Sequence, residues 1–482
     1  MVRPGGQRRP DARAGVRTQR LGAALRSTQQ SVGDQHARRQ RRDGDRVPGD
    51  PGKYRWRQLQ EHHRAVDRDG LSGGRDGAQR ASGRQGAATG GAECGQGVDQ
   101  LPVQGQGGAA APHLGHGNAA LMAPCDADVA VIGAGPAGAA VALLLARAGH
   151  RVLLAERDTG PRLAVGESVG PGIRVALERL GVFDAFLADG HLESLGNMSA
   201  WGTPEAAGRD FLFSPYGNGW HLERGRFDAT LRRQAQLCGA MLHGATRLEQ
   251  LARAAGGWRL RLAGPDGPLD WHTRFVVDAT GRRATVARRC GSARRPLDHL
   301  VGVVTYHGAG NKVQCRTLIE AERDGWWYSA PLPEARLVLA YMTDAGRHTR
   351  RALAGPPRPD SAPLTHARLV QHGGQAEAAA AIVPAYSACL AQAAGAGWLA
   401  VGDAAASVDP LSSQGIVSAL EQGLAAAGAL AAALGGDASA MPAYADRISS
   451  MYADYLVQRA HYYRREQRWP DSDFWRQRWV NA

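Results

Sequence analysis

Runs of apolar residues between residues 128 and 158 predict a strand, a helix and a second strand, in that order. DVAVIG (128–133) is a short, continuous apolar run of the kind that forms a strand buried on both faces. AAVALLLARAG (139–149) has the composition of an apolar helix that ends at a glycine, and VLLAE (152–156) predicts the next strand. A strand, a helix and a strand in immediate succession indicate an α/β fold with parallel strands.

The pattern later in the chain predicts a second sheet. HLVGVVTYHG (299–308) and ARLVLAYMTD (335–344) alternate poorly between apolar and polar residues but are rich in β formers. We therefore expect antiparallel strands within 196–223 and 298–350, which makes the α/β part discontinuous. The expected α/β segments are 126–195, 224–297 and 385–440, and a helical segment follows at 441–482.

The first quarter of the chain differs from the rest in charge and in apolar content. Residues 1–125 carry 20 Lys and Arg against 11 Asp and Glu, which is +9 of the formal net charge of +13. Because this part has no apolar periodicity, it cannot bury enough surface to offset its ordering entropy. We expect residues 1–121 to be a disordered basic extension, or to lie upstream of the true start at Met122. Its arginines are scattered and no aromatic residues alternate with them, which argues against a nucleic-acid partner.

The remaining composition narrows the class of protein. Six cysteines are spread without CxxC or metal-ligand spacing, a pattern typical of the reducing cytoplasm. We expect no membrane span, because the apolar stretch LAAAGALAAAL (424–434) is too short and too rich in alanine, and no secretory signal is recognisable. The sequence has no HExxH motif and no other metal-ligand spacing, so no metal is expected. We therefore expect a cytoplasmic protein.

The residues between the first strand and its helix form a GxGxxG motif. Gly133 permits a tight turn, Gly135 lets a pyrophosphate approach the backbone, and Gly138 lets the helix pack closely on the strand. The helix N-terminus favours the phosphate charge. Glu156 ends the second strand, where it is placed to bind a ribose hydroxyl. The motif, the two strands and the acid together predict a dinucleotide site.

Three later segments show which dinucleotide is expected. VVDATGRRATVAR (276–288), WLAVGDAAASVDPLSSQGIVSALEQG (398–423) and GRFDATL (225–231) follow the glycine motif in the chain. They resemble segments of the flavoprotein monooxygenase and halogenase superfamily that shares the p-hydroxybenzoate hydroxylase fold. The resemblance implies FAD, bound by a discontinuous Rossmann-like domain within 122–440, with the antiparallel sheet binding substrate.

The resemblance also implies roles for particular residues. Asp403 matches the aspartate that binds the ribityl chain, and Gly415 with Ile416 matches a helix start that faces the flavin pyrimidine. Arg226 matches an arginine near the cofactor. The full set of residues expected to bind FAD is Gly133, Ala134, Gly135, Ala137, Gly138, Glu156, Arg157, Arg226, Asp403, Gly415 and Ile416.

Two motifs are similar to those of the tryptophan-halogenase branch, but one residue of that branch is missing. GESVGP (166–171) resembles the turn that lies near the flavin in that branch. GWWYSAPLP (325–333) resembles the aromatic segment of that branch but differs from it in sequence. Those halogenases use a lysine some tens of residues after the turn, where this chain has HLESLGNMSAWG (191–202). Arginine is a poor replacement, because its guanidinium stays protonated and delocalised. The resemblance therefore favours hydroxylation through a flavin C4a-hydroperoxide.

A narrower resemblance suggests the substrate. SAWG (199–202), GNGWHLERGRFD (217–228) and the tail YYRREQRWPDSDFW (462–475) are similar to flavoproteins that mature quinone-cofactor oxidases and dehydrogenases. This implies hydroxylation of a tryptophan in a partner polypeptide. The candidate catalytic residues are Glu167, Ser168, Trp326, Tyr328 and Asp409.

Several points stay open at this stage. If 325–333 is a strand, Trp326 and Tyr328 share one face and Trp327 lies on the other, and either face could be core or substrate wall. No second GxGxxG is present, so the electron donor is either NAD(P)H bound transiently or a separate flavin reductase. The alternative functions are a small-molecule aromatic hydroxylase or halogenase, a prenyl reductase, and a non-enzymatic flavin-binding maturation chaperone.

Overall fold

The fold is described from a computed structural model, which describes residues 126–158, 165–346 and 358–480. The expectations for residues 1–121 and for Met122 lie outside these residues. Within the described residues the helices are α1 (Pro136–Arg147), α2 (Ile173–Leu180), α3 (Phe183–Ala188), α4 (Arg224–Leu237), α5 (Thr285–Arg289), α6 (Pro363–His372), α7 (Gly415–Leu434), α8 (Ala440–Arg465) and α9 (Asp473–Val480).

The strands of the same residues form two large and two small sheets. They are β1 (Ala127–Ile132), β2 (Val152–Ala155), β3 (Ser168–Val169), β4 (Leu192–Ser194), β5 (Gly196–Ala200), β6 (Ala207–Asp210), β7 (Gly219–His221), β8 (Met241–His243), β9 (Arg247–Ala254), β10 (Gly257–Gly264), β11 (Gly267–Asp278), β12 (Arg294–Pro296), β13 (Leu300–His307), β14 (Arg316–Glu322), β15 (Gly325–Leu332), β16 (Arg336–Asp344), β17 (Ala381–Pro384), β18 (Ala388–Leu390), β19 (Ala394–Gly395), β20 (Trp398–Ala400) and β21 (Ala406–Ser407).

The first large sheet contains the predicted strand–helix–strand unit. Its order is β19-β20-β11-β1-β2-β8, and β1 is paired in parallel with both β11 and β2. All four residues of β2 and five of the six in β1 are buried, which explains why these strands are continuous apolar runs. Helix α1 packs between the sheet and helices α4 and α7. The pattern of apolar residues thus predicted this unit correctly.

The second large sheet has the order β17-β13-β16-β15-β14-β5-β6. Its pairs are antiparallel except for β5 with β14, which are parallel. Parallel neighbours need a crossover connection, and here the chain passes through α4 and much of the first sheet between β5 and β14. Strand β7, which lies in the segment expected to join this sheet, instead pairs with β3 and β4.

Each face of the second sheet is covered by different helices. On one face, Trp326 packs in a cluster with residues of α8 and α9, among them Tyr463 and Trp475. On the other face, Trp327 packs with Tyr341 and with residues at α6. The expectation that Trp326 and Tyr328 share a face opposite Trp327 is confirmed, because side chains alternate along a strand.

Helix α7 corrects the expectation about apolar length. Among the described helices it alone is long and apolar enough to cross a membrane by length and composition. The stretch 424–434 is only its second half, because the helix begins at Gly415. Its apolar residues pack in the core, and a Cβ at Gly423 would lie 2.8 Å from the Ala140 Cβ of α1. The close approach to α1 accounts for its small, apolar side chains.

Candidate flavin site and active site

The glycine motif forms a turn between β1 and α1 in which each glycine has a different constraint. Gly133 has a φ of +104°, and a Cβ there would lie 2.2 Å from the Ala279 carbonyl oxygen. A Cβ at Gly138 would lie 2.0 Å from the Gly133 carbonyl oxygen. At Gly135 a Cβ would meet nothing within 4 Å. Packing therefore requires the first and third glycines, while the second leaves open space on the side where a pyrophosphate is expected.

Glu156 lies beside this turn. It follows β2 and is 8% exposed, and its Oε2 accepts a hydrogen bond of 2.7 Å from the Ala134 N–H. Its Oε1 accepts one of 3.0 Å from the Asp158 N–H. Arg157 is more exposed, and its Nε donates to Asp158 Oδ1 over 2.8 Å. Glu156 is thus hydrogen-bonded to the glycine turn. A ribose hydroxyl bound there would compete with the Ala134 N–H for Glu156 Oε2.

The Gly402-Asp403 pair lies against the start of α1, although 265 residues of chain separate Asp403 from Gly138. Gly402 has a φ of +63°, and a Cβ there would lie 2.9 Å from the Ala137 Cβ. Its N–H donates to Gln422 Oε1 of α7 over 2.8 Å. This buried glutamine was not predicted, and its only sequence signal is a polar residue on an apolar helix. Three distant segments therefore meet at one place.

Two arginines that sequence reasoning did not select hold the Asp403 turn. Arg282 Nε lies 3.4 Å from Asp403 Oδ2, and Arg294 Nη1 donates to the Asp403 carbonyl oxygen over 2.8 Å. Both arginines also donate to Ser407 Oγ. Burial lowers the pKa of Arg294 from its ordinary value. The DATGR motif was a signal for Arg282, whereas nothing in the sequence pointed to Arg294.

The start of α7 presents backbone N–H groups without a side-chain cap. Gly415 is exposed, a Cβ there would meet nothing within 4 Å, and Ile416 is buried beneath it. No side chain of the helix N-cap accepts a hydrogen bond from the first turn. Free N–H groups and the positive end of the helix dipole stabilise negative charge, as on the pyrimidine edge of a reduced flavin. The donor set of this region therefore fits FAD.

Arg226 and Arg224 differ in exposure and in their hydrogen-bond partners. The Arg226 side chain is 42% exposed, and its Nη1 donates to the Asp189 carbonyl oxygen over 2.7 Å. Arg224 is nearly buried, pairs with Asp228, and donates from Nη1 to the Val165 carbonyl oxygen. Arg224 therefore joins α4 to the segment that carries the GES turn. The role of Arg226 at the cofactor stays a prediction.

Glu167 of the GES turn is buried against the second sheet. It is 2% exposed, its Oε1 accepts a hydrogen bond from the Tyr306 hydroxyl, and its Oε2 accepts one of 3.1 Å from the Gly166 N–H. Burial raises the pKa of Glu167, and the tyrosine hydroxyl and the Arg224 charge offset part of that rise. A buried carboxyl with a raised pKa holds a proton more readily than an exposed one, which suits a group that takes part in proton transfer.

Ser168 is the centre of a network of hydroxyl groups and an imidazole. Its Oγ lies 2.7 Å from the Tyr328 hydroxyl and 2.9 Å from His221 Nδ1. The Thr317 hydroxyl donates to the same Oγ over 2.9 Å. Burial raises the pKa of Tyr328 and lowers the pKa of His221 to about 3, so both groups are uncharged at neutral pH. Such a network can move a proton between hydroxyl groups without placing a charge in the core.

His221 predicts how stability depends on pH. Its folded pKa of about 3 lies below the ordinary value of 6.5, so protons favour the unfolded chain, and stability falls as pH drops below 6.5. From pH 7 to about pH 5.5 we expect the unfolding free energy to fall by about 1 kcal/mol more in the wild type than in His221→Gln. Urea unfolding at the two pH values measures this, and equal changes in both proteins would contradict it.

Two of the five candidate catalytic residues bind the C-terminal helices. Trp326 is fully buried, and its Nε1 donates to the Tyr463 hydroxyl over 3.2 Å. That hydroxyl donates to Asp409 Oδ2 over 2.8 Å, and Arg459 Nε lies 3.3 Å from the same oxygen. Asp409 Oδ1 accepts from the Leu411 N–H. These candidates thus belong to two hydrogen-bond networks on one face of the second sheet. Ser168, next to Glu167, is bonded to Tyr328, whereas Trp326 and Asp409 are both bonded to Tyr463.

The sheet order, the glycine turn and the acid after β2 define the chain as an α/β dinucleotide-binding protein. A family model described as the FAD binding domain matches residues 126–447, and the chain belongs to this family. Its cofactor is therefore FAD, its fold is of the p-hydroxybenzoate hydroxylase type, and it is an FAD-dependent oxidoreductase of the group that contains aromatic hydroxylases and halogenases.

Relatives show which activities occur in this family. LodB of Marinomonas mediterranea, which is named as an FAD-dependent oxidoreductase, is 28% identical over 364 residues, 73% of this chain and 96% of LodB. The structure of CndH, a myxobacterial chondrochloren halogenase, is 27% identical with a TM-score of 0.65 and covers 73% of this chain and 85% of CndH. That of QhpG, a peptidyl tryptophan dihydroxylase essential for tryptophylquinone cofactor biogenesis, is 26% identical with a TM-score of 0.61, covering 73% and 78%.

Proposed function

We propose that this chain is a cytoplasmic FAD-dependent monooxygenase that hydroxylates a tryptophan ring in a partner polypeptide during quinone-cofactor biogenesis. Bound FAD, once reduced, supplies the chemistry by activating molecular oxygen for transfer to an electron-rich ring. The chain's own residues would bind the cofactor, orient the ring and exclude water. The expected cofactor contacts are the Gly135 turn, Glu156, the Asp403 turn and the start of α7.

The observation that carries hydroxylation over halogenation is the lack of a lysine where halogenases of this type use one. The chain has two lysines, Lys53 and Lys312. Lys312 is exposed in the connection between β13 and β14. The stretch 191–202 forms β4 and β5 and contains no lysine. Without an ammonium group to engage a hypohalous acid, oxygen transfer to the ring is the favoured outcome.

The buried groups near the GES turn support a role in proton handling. Glu167 and Ser168 are neighbours in the GES turn, and they contact the same face of the second sheet through Tyr306 and Tyr328, which lie on different strands. Ring hydroxylation requires a proton to leave the ring carbon and another to be supplied to oxygen. We propose that Ser168 and Tyr328 pass a proton at their hydroxyl groups, and that Glu167 holds one.

A polypeptide substrate is supported by the relatives rather than by the site alone. The support comes from QhpG, which is a peptidyl tryptophan dihydroxylase. A halogenase relative is matched with a comparable TM-score, so halogenation of a small aromatic molecule is the second candidate. The experiment below separates the two.

The test is mass spectrometry of a candidate partner polypeptide, taken from an adjacent oxidase or dehydrogenase gene, after incubation with the full chain. Chemically reduced FAD is supplied, so that the result does not depend on the natural electron donor, together with ¹⁸O₂ and chloride. We expect one or two labelled oxygen atoms on a single tryptophan. Chlorine on the ring would establish a halogenase instead. Oxygen consumption above that of free reduced FAD, without any change in the polypeptide, would move the substrate to a small aromatic molecule. No consumption above that background would favour the prenyl reductase or the chaperone.

A further inference from the structure

The second sheet ends at an exposed edge strand. Strand β6 pairs with β5 on one side, and all four of its residues, Ala207 to Asp210, are exposed. Within the described residues no strand pairs with its other side. An open edge offers a row of backbone N–H and C=O groups to another chain, and an extended segment can add to the sheet there.

An apolar patch follows the C-terminal end of β6. Leu212 is 78% exposed and Phe213 is 87% exposed, directly after the strand. Leu195 is 47% exposed and lies beside them, because its carbonyl oxygen accepts a hydrogen bond of 2.9 Å from the Phe211 N–H. These three residues, Leu195, Leu212 and Phe213, form the apolar patch. Large apolar side chains grouped on a surface in this way mark interaction sites.

A basic cluster lies at the N-terminal end of β6. The Gly202 N–H donates to Glu466 Oε2 over 2.7 Å, and Trp201 Nε1 donates to the Tyr462 carbonyl oxygen over 2.8 Å. These bonds hold the segment before β6 against the C-terminal end of α8, where Arg464 and Arg465 are exposed. These two arginines form the basic cluster. The edge strand therefore has two exposed arginines and the exposed Glu205 near one end, and apolar surface at the other.

This edge is close to the residues proposed to act on the substrate. Strand β5 lies between β6 and β14, and β14 carries Thr317 of the Ser168 network. A strand added to β6 would lie three strand spacings, about 14 Å, from β14. The segment after the apolar patch leads directly into β7, which carries His221. A polypeptide held at this edge could therefore present a neighbouring residue to the site.

We propose that β6 is the docking strand for the partner polypeptide, which adds an extended segment with acidic residues beside the basic cluster and apolar residues on the apolar patch. This rests on the proposed function, because it names the surface that holds the substrate of the same site. Charge complementarity favours a different chain over a second copy. Antiparallel pairing of two β6 strands about a two-fold axis would place each basic cluster on the other's apolar patch.

The experiment measures binding and oxygen transfer separately. The probe is the candidate partner polypeptide of the mass-spectrometry experiment, before its quinone cofactor has formed. Its affinity for the full chain is measured by biolayer interferometry. We expect the double variant Leu212→Asp/Phe213→Asp to bind about tenfold more weakly or worse, and Arg465→Glu to weaken binding most at low salt. Amide hydrogen exchange is expected to slow at residues 207–210 when the polypeptide binds. Val370→Asp, which alters a 66% exposed residue of α6 on the opposite face, should bind as the wild type does.

The outcomes distinguish this proposal from the proposed function. Unchanged affinity in the double variant, or unprotected amides at 207–210, would overturn the docking strand even if the wild type oxidises the polypeptide. Protection of these amides in the chain alone, rising with its concentration, would assign the edge to a second copy and would also overturn it. Loss of affinity in the variants, with hydroxylation of a short tryptophan peptide unchanged, would support it. Tight binding without oxygen transfer by the wild type would instead count against the proposed function.

Discussion

Gly135→Ala is expected to weaken FAD binding at least about tenfold while leaving the unfolding midpoint of the apoprotein unchanged. Its φ of −72° suits any residue, and the new Cβ would meet no protein atom within 4 Å. The methyl group would instead occupy space that the pyrophosphate needs. Quenching of flavin fluorescence measures the affinity, and thermal unfolding of the apoprotein measures the midpoint.

Gly133→Ala is the variant to compare with Gly135→Ala. Its Cβ would lie 2.2 Å from the Ala279 carbonyl oxygen at a φ of +104°, so we expect the apoprotein itself to lose about 3 kcal/mol or more of unfolding free energy. Both variants should bind FAD poorly, but for different reasons. Normal FAD affinity in Gly135→Ala would show that the pyrophosphate does not approach this turn.

Asp409→Ala is expected to lower the unfolding free energy by about 3–5 kcal/mol, because it leaves Arg459 buried without one of its two acidic partners. The Asp409 and Arg459 side chains are 1% and 3% exposed, and Tyr463 would also lose its hydrogen-bond acceptor. The change would release α8 from the turn that precedes α7. Urea unfolding measures the loss.

A matched control separates this role from a catalytic one. Asp471→Ala removes an exposed partner of Arg323, and we expect its unfolding midpoint to equal that of the wild type. If Asp409→Ala kept the wild-type midpoint but lost hydroxylation, Asp409 would act on the substrate rather than on packing. A lowered midpoint with hydroxylation retained by the folded fraction would establish the structural role.

The flavin site could be predicted from short segments because each is constrained locally. The glycine spacing reflects a turn with a φ that side chains disfavour, and the GD pair reflects a second such turn at Gly402. Those constraints act within a few residues, so they remain visible in one sequence. Arg224, Arg294 and Gln422 were not selected, because their functions depend on partners 20 or more residues away. Their residue types alone did not distinguish them from surface or core residues.

The aromatic segment 325–333 also has one feature that the sequence predicted and one that it could not. Alternation along β15 predicted that Trp326 and Tyr328 share a face, and pairing with β16 bears this out. Alternation could not show that α8 and α9 cover Trp326 whereas Ser168 approaches Tyr328. That difference arises from elements separated from β15 by more than a hundred residues in both directions.

The sequence by itself determined the α/β class and the dinucleotide turn, because apolar periodicity and backbone constraints are properties of neighbouring residues. FAD as the expected cofactor came from the resemblance of three later segments to a flavoprotein superfamily. Only the tertiary structure decided which candidate residues lie together, which tryptophans are core, and where an open strand edge faces solvent. These depend on the packing of helices and strands from distant parts of the chain, and burial then raises the pKa of Glu167 and Tyr328 and lowers that of His221.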